Sequence, residues 1–439
     1  MTRGWVLCSR AALLAAISGI ALCVGCNDGP SPVNPPTISS VTATCASPSV
    51  DAGQTDQCSA AVQGAGNFDT SVTWSASAGG ISTSGLFTAP SAAGPVTITA
   101  RSVGDPTKSG STAVMIPPAD KSGFLYRGIT HTSYQANEYN TGAGTTSQDA
   151  LAATGAGWAA VLVTQYQADK NATTIAPANN TPSDTAVIAA ITELHNQKLK
   201  VMLKPHVDAS DGSWRGTFAP SDVNAWFASF TTFIVHYAQI AQNNNVEMLC
   251  FGTEYAQLSG AANRNQWLNV IAAIETTYTG PLAYAANATY ATDEFTSVSF
   301  WDQVDVIGLD AYFPLTSHND PTIPQLVNAW SSNKSGENIV ADVQNFAGAH
   351  PGKPVIFTEI GYRSVAGTNT APYDYTMTGA VNNAEQQNCY EAMYEVWSRQ
   401  NSVMKGNFWW SWSVPMPNAS DTDYTPWSKP AETVLKNWQ

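Results

Sequence analysis

Two glutamates fall where a carboxylate is expensive. Glu359, in "VIFTEIGYRS", stands just past the β-rich run Val355, Ile356, Phe357, with Thr358 between, and Glu254, in "MLCFGTEYA", closes a similar run. A charge at the end of an apolar strand needs either a partner or a function. Arg363, four residues beyond Glu359, offers the partner and a purely structural reading. The chemical reading takes the two together. Carboxylates facing each other across a cleft can divide the hydrolysis of a glycosidic bond: one donates a proton to the leaving oxygen, and the other attacks the anomeric carbon or activates water. A gap of about 5–5.5 Å gives retention and about 6.5–9.5 Å gives inversion, a distance that chain spacing does not fix. Strict alternation turns Glu359 to the side of Val355 and Phe357, and Glu254 to the side of Cys250 and Gly252. Both can then face one axis.

The neighbouring polar and aromatic residues suit a sugar. "KPHVDASDGSWRG" supplies Lys204, His206, Asp208, Trp214 and Arg215; "AANATY" supplies Asn287, and "LDAYFPL" supplies Asp310 and Tyr312. "FWWSW" carries Trp409, Trp410 and Trp412. A Trp at such a position can floor a pyranose, its face on the C–H groups and its N–H on a partner, although core packing claims at least Trp409 or Trp410. The expected substrate contacts are Lys204, His206, Trp214, Asn287, Tyr312, Trp410 and Trp412, with Trp412 as the stacking residue and Tyr312 and Arg363 as donors to Glu359.

Eight apolar runs could carry these residues: 124–129, 158–164, 199–205, 246–252, 280–286, 304–310, 354–360 and 406–412. Helical periodicity lies between them, clearest over 221–242 behind a Ser221 cap and over 264–278. Eight strand–helix units predict a (β/α)8 TIM barrel over 118–439, with Glu254 ending strand four and Glu359 ending strand seven. An open doubly wound sheet would carry a Gly-rich phosphate loop after its first strand, and none is visible. Residues 37–117 read differently, as short alternating runs divided by Gly, Ser and Pro. That pattern predicts an all-β sandwich with Trp74 as its core aromatic.

Only 12% of residues are charged against 44% hydrophobic, which suits a folded extracytoplasmic protein. With a net charge of -14 and no basic cluster, nucleic acid and anionic membrane surfaces are poor partners. Residues 1–26 read as a signal segment with Arg3 and Arg10 before an apolar stretch too short to span a bilayer comfortably. Its end, "CVGC", resembles a bacterial lipobox, which implies lipidation at Cys26 and attachment to the cell envelope through that anchor; an ordinary cleaved signal is the alternative, and a monomer is expected although the sequence does not fix the oligomeric state. The stretch 27–36 is a Pro/Gly/Asn tether. Cys45 and Cys58 are expected to form a disulfide. Cys250 and Cys389 read as buried thiols, and no Cys/His spacing suggests a metal or other cofactor.

Over 37–117, "VTWSAS", "GLFTAP" and "VTITA" resemble the bacterial immunoglobulin-like modules. From residue 124 onward, "KPHV…WRG", "FGTE", "FWDQVDVIGLDAYFPL", "FTEIGYRS", "FWWSW" and "KPAETVLKNW" resemble the clan A glycoside hydrolases, and most closely family 113, the β-mannanases. The resemblance implies Glu254 as acid/base, Glu359 as nucleophile, retention of configuration and β-1,4-mannan or glucomannan as substrate. It departs at Thr253, where most of the clan carries Asn, so the contact to the sugar 2-hydroxyl must come from elsewhere or be absent. Another retaining β-glycosidase acting on galactan, glucan or xylan is the nearest alternative. A non-catalytic carbohydrate-binding lipoprotein is the reading from another class.

Overall fold

The computed structural model describes residues 35–90, 93–117, 124–290, 293–418 and 420–438. Cys26, the expected signal segment 1–26, most of the tether 27–36 and the expected boundary at 118 lie outside them. The first described region holds seven strands: β1 (Thr37–Cys45), β2 (Thr55–Ala65), β3 (Val72–Ala76), β4 (Gly80–Ile81), β5 (Leu86–Thr88), β6 (Gly94–Ser102) and β7 (Ser109–Ile116). They form two antiparallel sheets, ordered β1-β2-β5-β4 and β3-β6-β7. Phe87, Val96, Ile98, Val114 and Ile116 are buried together, and Trp74 is half-buried against them. Cys45 and Cys58 stand opposite each other on β1 and β2 and are joined by a disulfide.

The second region is a closed barrel of eight parallel strands. These are β8 (Tyr126–Thr132), β9 (Trp158–Gln167), β10 (Lys200–Ala209), β11 (Met248–Thr253), β12 (Leu282–Ala288), β13 (Val306–Ala311), β14 (Val355–Ile360) and β15 (Met404–Ser413). Eight helices surround it: α1 (Gly142–Ala152), α2 (Asp184–Asn196), α3 (Val223–Asn243), α4 (Arg264–Glu275), α5 (Ile323–Ala329), α6 (Ile339–Gly348), α7 (Asn383–Trp397) and α8 (Pro430–Trp438). The units are uneven. Between β12 and β13 there is no α-helix among the described residues, only short 3-10 turns that send Phe295, Phe300 and Trp301 into the core. Helices α5 and α6 both follow β13.

Helix α3 buries Trp226, Phe230, Phe233, Ile234 and Tyr237 along one face, as its periodicity requires. Its cap is Asp222, whose carboxylate accepts the Ala225 N–H at 3.0 Å; Ser221 sits one residue too early to reach that donor. Helix α4 stops at Glu275, and Tyr278 turns its hydroxyl to Val246 O. Two apolar layers result. Val355, Phe357, Ile360 and Trp409 pack between barrel and helices, while Ala160, Met202, Cys250, Ala285, Ile356 and Phe408 fill the lower barrel interior. Cys250 and Cys389 are buried and free.

Near the C-terminal ends of three strands the register slips. Across β13 and β14, Leu309 faces Phe357 but Asp310 faces Glu359. Across β11 and β12, Cys250 faces Ala283 while Thr253 faces Ala285. Across β15 and β8, Trp409 faces Ile129 but Trp412 faces His131. The extra residue lies on β14, β11 and β15 respectively, as in a β-bulge, and it breaks the simple alternation there. The alternation argument therefore fails for Glu359 and holds only in part for Glu254, since Cys250 does face the barrel interior. Val355 and Phe357 face the helices, and Gly252 faces outward, where an added Cβ would lie 2.6 Å from Tyr284. Both carboxylates nevertheless reach the mouth, Glu359 through the extra residue of β14 and Glu254 on a residue of φ 55 just past the slip in β11.

The same slip corrects the expectation for Trp412. It is fully buried in the outer core and donates its indole N–H to Ser147 O at 3.0 Å, so it has no face for a sugar. Trp412→Ala should lower stability by about 3–5 kcal/mol, read by denaturant unfolding, while the folded fraction keeps its KM. A raised KM at unchanged stability would return Trp412 to the cleft.

Candidate active site

Glu359 lies in the bulge at the end of β14, 5% exposed, and two side chains hold it. Lys204 of β10 donates to its Oε1 at 2.5 Å, and the Tyr312 hydroxyl donates to its Oε2 at 2.8 Å. Lys204 also donates to both oxygens of Asp310, at 3.1 and 3.2 Å, and Thr358 donates to Asp310 at 2.7 Å. Burial works against the Lys204 charge, but Asp310 and Glu359 outweigh it and hold the ammonium above its ordinary range. Burial, with Glu359 adding to it, pushes Asp310 well above the carboxylate range. Burial likewise keeps the Tyr312 phenol protonated, with the Glu359 charge adding to the effect. One ammonium thus sits between two acids.

Two assignments change here. Lys204 is wholly buried and already bonded to the two carboxylates, so it positions Glu359 instead of meeting a sugar. Arg363 does not touch Glu359; its guanidinium donates to Met377 O and Thr422 Oγ1. The sequence suggested Arg363 because it is near along the chain, but beyond β14 the backbone carries it away from the mouth.

Glu254 follows β11 directly, and its backbone N–H bonds to Ala285 O at 2.8 Å. Asn287 Nδ2 donates to its Oε1 at 3.0 Å, the Trp214 indole donates to its Oε2 at 3.2 Å, and Arg215 stands 3.9 Å from Oε2. Asp208 fixes Arg215 at 2.5 Å. Trp214 remains 47% exposed, so one face is open to the cleft. Thr253 is buried, and its hydroxyl has no hydrogen-bond partner.

His206 and Trp410 occupy the space near Glu359. The two rings are parallel within 1°, with centroids 6.2 Å apart, and His206 Nε2 lies 3.6 Å from Glu359 Oε1. Burial, then Arg215 and Lys204, hold the imidazole well below its ordinary value, so it is neutral. Its Nε2 is buried without a protein partner, as a group awaiting a substrate hydroxyl would be. Trp410 is half-buried, and its backbone runs close against Gly361, where an added Cβ would lie 2.5 Å from Trp410 O. The structure thus gathers His206, Trp214, Asn287, Tyr312 and Trp410 with Glu254 and Glu359, and leaves Trp412 out.

Sequence reading missed Tyr284 and Glu294. Tyr284 sits in an apolar strand run and Glu294 in the polar stretch "ATDEFTS", so neither carries a local signal. Glu294 is buried and pushed up to about 7, chiefly by burial with Glu254 adding, against the bonds it accepts from Tyr284 and Asn287. The folded value lies above the ordinary 4.5, so the native state holds this proton more tightly. Its stabilising contribution is full below about 4.5 and is lost as pH rises through about 7. Denaturant midpoints at about pH 5 and about pH 8 should fall further in the wild type than in Glu294→Gln; parallel falls would show that this group does not titrate in the interval.

A family model of glycoside hydrolase family 113 matches residues 130–429. The family 113 β-mannanase AaManA from Alicyclobacillus acidocaldarius, solved in complex with ManMIm, is 28% identical, with a TM-score of 0.63 over 72% of this chain and 96% of that one. A structure described as a family 113 β-1,4-mannanase is 26% identical, with a TM-score of 0.62 over 72% and 98% of the two chains. A complex structure of a family 113 β-1,4-mannanase, at 24% identity and a TM-score of 0.63, shares the fold. No curated protein sequence matches the chain significantly.

Proposed function

The chain belongs to glycoside hydrolase family 113 and is a retaining glycoside hydrolase, and from that premise we propose that it cleaves β-1,4-mannosidic linkages in mannan or glucomannan, with Glu359 as nucleophile and Glu254 as acid/base. One observation supports the assignment of roles above the rest. The two carboxylates stand at the ends of β14 and β11 in different surroundings: Glu359 between the Lys204 ammonium and the Tyr312 hydroxyl, and Glu254 between Asn287 and the exposed Trp214.

In the first step a Glu359 oxygen bonds to the anomeric carbon as the bond to the leaving oxygen breaks, and Glu254 gives its proton to that oxygen. In the second, Glu254 takes a proton from water, the water oxygen bonds to the anomeric carbon, and Glu359 leaves as a carboxylate. Lys204 and Tyr312 stabilise the carboxylate before attack and after release. Neutral His206 and the Trp410 ring meet the sugar bound beside Glu359, and Trp214 carries the sugar beside Glu254. The 26–28% identity to the mannanases supports mannan as the substrate. We also propose that Cys26 is lipidated and that residues 37–117 act as a spacer.

Glu359→Gly should abolish turnover, and added azide should restore it, giving a glycosyl azide of inverted configuration. Glu254→Ala should lose about 10²–10⁴-fold on oligosaccharides, keep its first step on substrates with good leaving groups, and give a retained azide product. Both variants retaining full activity would end the assignment. Reducing-sugar release should be strongest on mannan and glucomannan; strong release from xylan or galactan with none from mannan would overturn the substrate.

A further inference from the structure

Nothing in the reaction as derived uses Glu294, although it is only 4% exposed and lies close behind the mouth. Its Oε1 accepts from the Tyr284 hydroxyl at 2.6 Å, and its Oε2 accepts from the Asn287 backbone N–H at 2.8 Å. Each donor is also engaged with the Glu254 segment. Asn287 Nδ2 donates to Glu254 Oε1 at 3.0 Å, and the Tyr284 hydroxyl accepts the Tyr255 N–H at 3.2 Å. One buried carboxylate therefore reaches Glu254 by two routes, through its side-chain partner and through the peptide that follows it.

The backbone shows why two routes matter. Glu254 has φ 55, in the left-handed region that side chains other than Gly rarely adopt. Such a residue persists only where its surroundings over-determine it. The bond from Glu254 N–H to Ala285 O fixes one side of it, and the Tyr255 N–H fixes the other through Tyr284.

We propose that Glu294 is a positioning residue for the acid/base: it holds Asn287 and the Glu254–Tyr255 peptide where Glu254 can reach the leaving oxygen. The proposal rests on the reading of Glu254 given above. Its demand on chemistry is specific. Above about pH 7, where Glu294 is ionised, each of its two oxygens accepts one hydrogen bond, an arrangement that an amide cannot reproduce because its NH₂ replaces one of the two acceptors. In Glu294→Gln the amide N–H₂ turns on either the Tyr284 hydroxyl or the Asn287 N–H, and one of the two routes opens.

A role confined to packing would lower every reaction alike, whereas a fault in acid/base placement shows in the leaving group. Glu294→Gln, Glu254→Ala and wild type are to be compared on a mannooligosaccharide and on an aryl mannoside with a strongly acidic phenol, each with and without azide. For Glu294→Gln, kcat/KM on the oligosaccharide should fall by about tenfold or more and stay within about threefold on the aryl substrate, with azide accelerating turnover of the latter. Tyr284→Phe, which removes only the bridging hydroxyl, should show the same split to a smaller degree and decides the question if Glu294→Gln does not fold. Equal losses on both substrates, or none, would overturn the positioning role. If Glu254→Ala itself shows no split, the acid/base assignment fails first; if it does and the other two do not, only the proposal for Glu294 fails.

Discussion

A single buried ammonium serves two carboxylates at the barrel mouth, and the arrangement of three strands follows from it. Lys204 is fully buried, so its desolvation, several kcal/mol for an ion of this kind, must be offset by fixed partners. Those partners come from β13 and β14, which carry Asp310 and Glu359 opposite each other in register. Asn287 on β12 stands opposite Asp310, so one row across three strands carries the amide, the second acid bonded to Lys204 and the proposed nucleophile. Remove the ammonium and two acids face each other in a water-poor site, where like charges cannot both be held. The geometry of Glu359 is thus the outcome of a charge balance as much as of packing.

The opposite wall is built on another principle. No ammonium bonds to Glu254 among the described residues; its oxygens meet an amide and an indole, with Arg215 already turned to Asp208. Two chemically identical side chains are separated by surroundings: one bonded to an ammonium and a phenol, the other to an amide and a half-exposed indole, with a guanidinium 3.9 Å away. A retaining hydrolase needs that difference, since one acid must donate a proton while the other stays a carboxylate. The substitution of Thr253 for the clan's usual Asn fits the same wall. Its hydroxyl is buried without a partner, and the amide beside Glu254 is instead Asn287, from the neighbouring strand.

Much of this could be read from the sequence. All eight strand runs were legible because continuous apolar stretches bounded by helical periodicity leave few other arrangements, and the two glutamates stood out because charge is costly at a strand end. Other features were not legible. Arg363 looked like a partner because it was close in sequence, yet the ammonium comes from β10, far from Glu359 along the chain. Tyr284 and Glu294 gave no signal, since a Tyr in an apolar run and a Glu in a polar loop are each ordinary until the fold joins them. The face assignments of Val355, Phe357, Gly252 and Trp412 were wrong for a clearer reason. Alternation assumes an unbroken ladder, and the ladder breaks in β11, β14 and β15 close to the site.

That coincidence has a physical basis. Lower in the barrel, alternation is enough: Ile356 points inward, Phe357 outward, and each meets an apolar neighbour. At the mouth, chemistry asks for adjacent residues on the same side. Thr358 must reach Asp310 while Glu359 meets Lys204 and Tyr312, and a regular strand would send one of them into the helices. The extra residue in β14 lets both turn inward. In β15 the slip does the reverse: it keeps Trp410 beside His206 and returns Trp412 to the core, where its N–H finds Ser147. The bulges are therefore where the barrel exchanges a repeating packing rule for a constellation of unlike groups, and a reading based on that rule loses the side-chain directions at the same point.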